Sequence, residues 1–279
     1  MKSCQLLWFG AVLFLLAGCG TLSVSNRIDN ANAIAKTANF RPYLSITDNF
    51  KITGFSRLEN KNSPITIYVE GDGFAWVDRY TISANPTPRN PIGLKLAVQD
   101  KSDNVVYLGR PCQFVDSKTE IYCGDNRNWT SHRFSREILN GYNQTLNGLK
   151  NNFNNVGFHL VGFSGGGAIV TLLAADRDDI LSLRTVAGNL DHRALNKHAK
   201  VSPLSGSLNP IDVAKKIRHI PQIHFSGAKD TIVPAWIAKS FVSSAGNVSC
   251  VQAYTLPHAS HLEGWATYWG RLSTKMPEC

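Results

Sequence analysis

The run Gly162-Phe163-Ser164-Gly165-Gly166 directly follows the apolar stretch Val156-Gly157-Phe158-His159-Leu160-Val161, and Gly167-Ala168-Ile169-Val170 comes straight after it. Strand, then small-residue turn, then helix: this order constrains the fold more than any other feature of the chain. A serine at such a junction adopts a strained backbone, so the residues two before and two after it must be small. The turn lifts the hydroxyl clear of the sheet and aims N–H groups of a helix N-terminus at negative charge developing beside it. A Gly-rich turn of purely structural use is the competing reading, and the flanking strand and helix weigh against it.

Two residues able to activate that hydroxyl lie downstream. Residues 220–227 read as a short strand, followed by Ala228-Lys229-Asp230-Thr231-Ile232-Val233-Pro234. An acid just beyond a strand end, with Pro234 opening the next helix, is placed to hold an imidazole. Residues 251–256 read as a last strand, running into Pro257-His258-Ala259-Ser260-His261 and a final helix that carries Trp265 and Trp269. Ser, then Asp, then His is one of three chain orders that unrelated folds use for the same constellation.

On these motifs, at 162–166, 226–234 and 257–261, the chain resembles the α/β-hydrolase family from about residue 65 to about residue 269. The resemblance implies Ser164 as nucleophile, Asp230 as acid and His261 as base. His258, three residues earlier, is the alternative base, and Asp191, which follows another short apolar strand at 183–188, is a reserve acid. The resemblance also implies acyl transfer through a covalent intermediate on a small-molecule ester, with thioesters and peptides open to the same apparatus. No metal and no organic cofactor is required.

The oxyanion side departs from the family pattern. After the strand at 65–69 comes Glu70-Gly71-Asp72-Gly73-Phe74-Ala75-Trp76, where members of the family often carry His-Gly. The expected donors are the N–H of Gly165 and one from the Asp72-Gly73 pair. An ionised Asp72 pointing inward would oppose negative charge in the transition state, so its side chain is expected to face away or be paired. These departures also support an alternative: a hydrolase-fold protein that binds an envelope ligand or partner without catalysis.

The coarse pattern agrees with an α/β class. Strands are expected at 50–58, 65–69 and 104–108, helices at 91–98 and 135–153, and the pattern gives an α/β-hydrolase fold with a mostly parallel twisted sheet and helices on both faces. Ligands bind at the carboxyl ends of such strands, where Ser164, Asp230 and His261 all fall. Two loops, 74–90 and 116–133, are expected to shape the pocket, with Trp76 and Trp129 lining a substrate slot. Arg89, Arg127 and Arg133 are candidates to hold an anionic substrate group.

The first residues read as a targeting segment. Lys2 supplies a positive start and residues 6–16 an apolar run, too short to span a membrane as a helix. Leu16-Ala17-Gly18-Cys19 resembles a bacterial lipobox, which implies a signal peptide at 1–18, lipid on Cys19, and anchoring at the outer membrane facing the periplasm. Export without lipid is the alternative. Residues 19–39, polar and without firm periodicity, read as the lipidated cysteine and a flexible tether, and 40–279 as one hydrolase domain.

An oxidising compartment suits the cysteines. With Cys4 in the signal and Cys19 lipidated, Cys112, Cys123, Cys250 and Cys279 remain, and four allow three connectivities. Cys112 and Cys123 flank a short polar loop, and a Cys250–Cys279 bridge would pin the C-terminal helix beside His261. A zinc site lacks the close Cys-x-x-Cys spacing it needs. The net charge of +9, gathered at 192–200 and 215–219, suits an anionic surface or simply a solvated face. Nucleic-acid binding lacks any supporting motif.

Overall fold

The computed structural model describes residues 23–115, 123–154 and 157–279. Eight strands form one sheet in the order β1-β2-β4-β3-β5-β6-β7-β8. They are β1 (Arg41–Ile46), β2 (Lys51–Leu58), β3 (Ile65–Val69), β4 (Asn104–Leu108), β5 (Phe158–Phe163), β6 (Ile180–Val186), β7 (Gln222–Gly227) and β8 (Val251–Leu256). The β1–β2 and β2–β4 pairings are antiparallel, and every other pairing is parallel. The antiparallel pairings therefore lie at one edge, through β1 and β2, and the sheet is mostly parallel as expected.

Helices cover both faces because the strands are apolar on both. In β4, Val106 and Leu108 join one core, while Val105 and Tyr107 join the other. The first core takes α3 (Arg136–Asn152), α4 (Gly165–Asp176) and α6 (Trp236–Ser244), through Leu139, Leu146, Ile169, Leu173, Ile237 and Phe241. The second takes α1 (Val24–Lys36), α2 (Ile92–Ala97) and α7 (Trp265–Leu272), through Ala31, Leu94, Leu96, Trp265 and Trp269. Helix α5 (His192–Ala199) follows β6. Residues Gly165 to Ala175 of α4 are buried on every side, as expected of a central helix whose residues are almost all small or apolar.

The N-terminal segment differs from the expected tether. Residues 24–36 form α1, capped by Ser23, whose side chain accepts the N–H of Asn26. Arg27, Ala31 and Ala35 are buried in one stripe against the domain. Small alanines let the helix lie close, and Arg27 satisfies its guanidinium on the carbonyls of Thr87 and Asn85. The signal segment and Cys19 lie outside the described residues. Among the described residues, no helix is long and apolar enough to cross a membrane. Disulfides join Cys112 to Cys123 and Cys250 to Cys279.

Candidate active site

Ser164 sits between β5 and α4 with φ 50° and ψ −117°, a conformation that costs a residue with a side chain about 1–3 kcal/mol. The surrounding chain holds it there. The Ser164 N–H donates to Val186 of the neighbouring strand, and its carbonyl accepts from both Gly167 and Asn189. A β-carbon on Gly166 would stand 2.2 Å from the Val69 carbonyl oxygen, so only glycine lets α4 start this close to the end of β3.

The acid and the histidine come from the ends of β7 and β8, and backbone bonds tie their loops together. Ala228 donates to the Leu256 carbonyl and Lys229 to that of Ala259. Asp230 has a fully buried side chain. Its Oδ1 accepts the N–H groups of Ile232 and Val233, both at 2.8 Å, which leaves Oδ2 for the imidazole. His261 Nδ1 lies 2.9 Å from Oδ2, and Nε2 lies 3.0 Å from Ser164 Oγ. A proton on Nδ1, donated to the carboxylate, leaves Nε2 as acceptor of the serine hydroxyl. From below, the indole N–H of Trp265 is shared between the carbonyls of Ser260 and His261.

The alternatives fall elsewhere. His258 is exposed and lines a separate surface depression with Tyr268 and Arg271. Asp191 caps α5, accepting from the Ala194 N–H and from Asn209.

Opposite the histidine lies the turn at residues 70–73. Glu70, where a histidine is common, is buried. Its carboxylate accepts from the N–H groups of Gly71, Gly93 and Leu94 and from the Tyr107 hydroxyl. Burial pushes its pKa up, against the pull of these four bonds. Glu70 thus clamps the turn to α2 and β4. Asp72 is paired, as expected for a carboxylate in this position: Oδ1 lies 3.0 Å from Arg110 Nη1 and Oδ2 3.3 Å from Arg133 Nε. Among the described residues, the backbone N–H groups of Asp72, Gly73 and Gly165 donate to nothing. They are the open donors on the two segments that flank Ser164.

A cavity of about 500 Å³ opens over Ser164 and His261, walled by Phe74, Trp76, Phe163, Ile232 and Leu262, with Glu70, Asp72, Arg89 and Arg133 as its acidic and basic members. Its size suits a small organic molecule. Trp76 is in the wall, but Trp129 is not. Trp129 is buried among Ala75, Cys112 and Cys123 and donates its indole N–H to the Ser83 carbonyl, so it braces the loop beneath Trp76. Of the loop at 116–133, residues 116–122 lie outside the described residues. Arg127 pairs with Asp125 at the surface. Among the described residues, no three His, Cys, Asp or Glu side chains converge as a metal site.

The profile of the family described as serine hydrolase (FSH1) matches residues 94–260, more than half of the chain and a stretch that includes Ser164 and Asp230. The chain belongs to this serine hydrolase family. Solved structures give the same fold at low identity. The esterase Pf2001 of Pyrococcus furiosus is 13% identical with a TM-score of 0.60, over 88% of this chain and 91% of that one. Est1E from Butyrivibrio proteoclasticus is 12% identical with a TM-score of 0.58, over 83% and 95%. A putative dienelactone hydrolase from Klebsiella pneumoniae is 15% identical with a TM-score of 0.54, over 82% and 90%. No curated protein sequence matches. The protein is therefore a serine hydrolase of α/β-hydrolase fold, as the sequence motifs imply.

Proposed function

We propose that this serine hydrolase cleaves carboxylic esters through a Ser164 acyl-enzyme, with His261 as general base and Asp230 as the group that orients it. The observation that carries the reading is the unbroken chain from Ser164 Oγ through both nitrogens of His261 to Asp230, at 3.0 and 2.9 Å. His261 takes the serine proton as Oγ attacks the carbonyl carbon, and returns it to the departing alcohol. The N–H of Gly165, with that of Asp72 or Gly73, binds the oxyanion. Water then repeats the sequence and releases the acid. The esterases among the similar structures support an ester, and thioesters and peptides are open to the same groups.

Labelling by a fluorophosphonate tests the reading. Wild type is labelled and Ser164→Ala is not, and a panel of 4-nitrophenyl esters of rising chain length locates the preferred acyl group. A folded wild type that neither labels nor turns over any ester removes the proposal.

The N-terminal motif supports a location. A signal ending at Gly18, with lipid on Cys19, would hold the enzyme at the outer membrane facing the periplasm. Metabolic labelling with a radioactive fatty acid checks this: incorporation is lost in Cys19→Ala. Incorporation that survives the substitution excludes Cys19 as the anchor.

A further inference from the structure

The cavity wall carries two acids, Glu70 and Asp72, and two arginines, Arg89 and Arg133, but they do not pair one to one. Both acids are already committed: Glu70 to three backbone N–H groups and Tyr107, and Asp72 to Arg110 and Arg133. Arg89 has no such partner. Its guanidinium carbon lies 3.8 Å from the centroid of the Phe74 ring, and among the described residues it makes no hydrogen bond or ion pair. Arg27 approaches the same ring at 5.4 Å, from the side of α1. Its guanidinium rests on carbonyl oxygens only, and burial together with the Arg89 charge lowers its pKa. Two cations thus share one ring with no carboxylate between them.

The pair stands close to the reacting centre. Phe74 directly follows the Asp72-Gly73 donors, and Arg89 follows Pro88, whose nitrogen would lie 3.2 Å from a β-carbon on Gly73. At 3.8 Å the guanidinium carbon lies over the Phe74 ring, a contact that uses none of its N–H donors in a hydrogen bond and leaves them for a planar anion. Arg89 is exposed at the cavity, and Arg27 adds a second positive charge on the same ring. An anionic group on the substrate would meet both charges.

We infer that the substrate is an ester carrying a second, ionised acid group, held by Arg89 while Ser164 attacks the ester carbonyl. The inference rests on the ester-hydrolase reading above and names its substrate class. The acid group sits either on the acyl side or on the alcohol side of the scissile bond, and matched probes separate the two. On the acyl side, 4-nitrophenyl hydrogen adipate is compared with its methyl-capped ester. On the alcohol side, 4-acetoxyphenylacetate is compared with its methyl ester. A charge-assisted contact of ordinary strength gives the charged member of one pair about a tenfold or larger advantage in kcat/KM at low salt. Arg89→Gln collapses that ratio toward one, and Arg89→Lys keeps part of it. A wild-type ratio of one or less in both pairs overturns the inference, as does a ratio that Arg89→Gln leaves in place.

Binding gives a readout free of turnover. Ser164→Ala protein should bind monomethyl adipate or 4-hydroxyphenylacetate more tightly than the corresponding uncharged ester in calorimetry, and the added Arg89→Gln should abolish the difference. Absence of turnover and of fluorophosphonate labelling, with this anion preference intact, would sink the hydrolase reading and leave the anion site standing. Turnover without anion preference in either assay would do the reverse.

Discussion

Arg110 Nη1 lies 3.0 Å from Asp72 Oδ1, and that same oxygen would stand 2.0 Å from a β-carbon on Gly165. A carboxylate is therefore set against the residue whose N–H is the first expected oxyanion donor. Uncompensated, it would raise the energy of the tetrahedral intermediate by like-charge repulsion. Arg110 is itself buried, so the pair acts in a medium that screens poorly. Arg110→Met should lower kcat by about ten- to a hundredfold, the scale of losing one oxyanion donor or less. Adding Asp72→Asn should recover much of the loss, because the backbone N–H stays while the charge goes. Steady-state kinetics of the two variants decide it. No recovery in the double variant means that Arg110 serves the fold alone, and thermal unfolding run beside the kinetics would show that.

The two histidines of the 257–261 loop should behave oppositely. His261→Ala should cut kcat by about a thousandfold or more, as loss of a base in such a unit does. His258→Ala should change it less than twofold, since His258 is exposed on another surface. Asp230→Asn keeps an oxygen for the N–H groups of Ile232 and Val233 but cannot fix the imidazole tautomer. It should cost about 10⁴-fold in kcat. Equal losses from His258→Ala and His261→Ala would refute the assignment of the base.

What the sequence disclosed follows from where the information lies. Strands β3 and β4 are buried at every position, so they show as unbroken apolar or near-apolar runs that can be read directly. The turn at Ser164 is legible because its steric demand is local. Helix α1 is not, because its buried stripe is two alanines and an arginine and carries almost no apolar signal. Strand β1 contains Pro42 and is largely exposed, as an edge strand tolerates, and so it reads as loop. The role of Glu70 depends on Gly93, Leu94 and Tyr107, 23 to 37 residues away, which only the tertiary structure brings together. Trp129 shows the same limit from the other side. A tryptophan near a pocket loop is compatible with lining it or with bracing it, and only the packing against Cys112 and Cys123 decides.

Acid should destabilise the protein through His224. This residue of β7 is fully buried, with Nδ1 2.9 Å from Thr185 Oγ1 and Nε2 3.2 Å from Gln222 Oε1. Burial lowers its pKa from 6.5 to about 3. Between these values the unfolded chain binds a proton that the folded protein refuses, so stability rises with pH across this window and is lost as pH falls through it. The slope from this one group is at most about 1.4 kcal/mol per pH unit. His224→Gln removes it. The stability difference between wild type and variant, from urea unfolding at pH 7.5, 6 and 5, should shift in favour of the variant as pH drops. A difference that stays constant with pH would show that His224 does not charge on unfolding.

Trp265 and Trp269 stand one turn apart on α7, both fully buried, yet only one of them holds the histidine loop. The Trp265 indole N–H is shared by the carbonyls of Ser260 and His261, whereas that of Trp269 goes to the Tyr68 hydroxyl, deep in the sheet. Phenylalanine at either place removes a hydrogen bond and leaves a small void, at a cost of about 1–3 kcal/mol in stability. The kinetic effects should differ. With Trp265→Phe the loop is free to drift, and a displacement of the imidazole by a fraction of an ångström lowers kcat by about tenfold, with KM nearly unchanged. Trp269→Phe should lose comparable stability and keep kcat within about twofold of wild type, because nothing it touches reaches the reacting atoms. Equal kcat in the two variants, at temperatures where both are folded, would mean that the His261 loop is held by its backbone ties to Lys229 and Ala228 rather than by the indole.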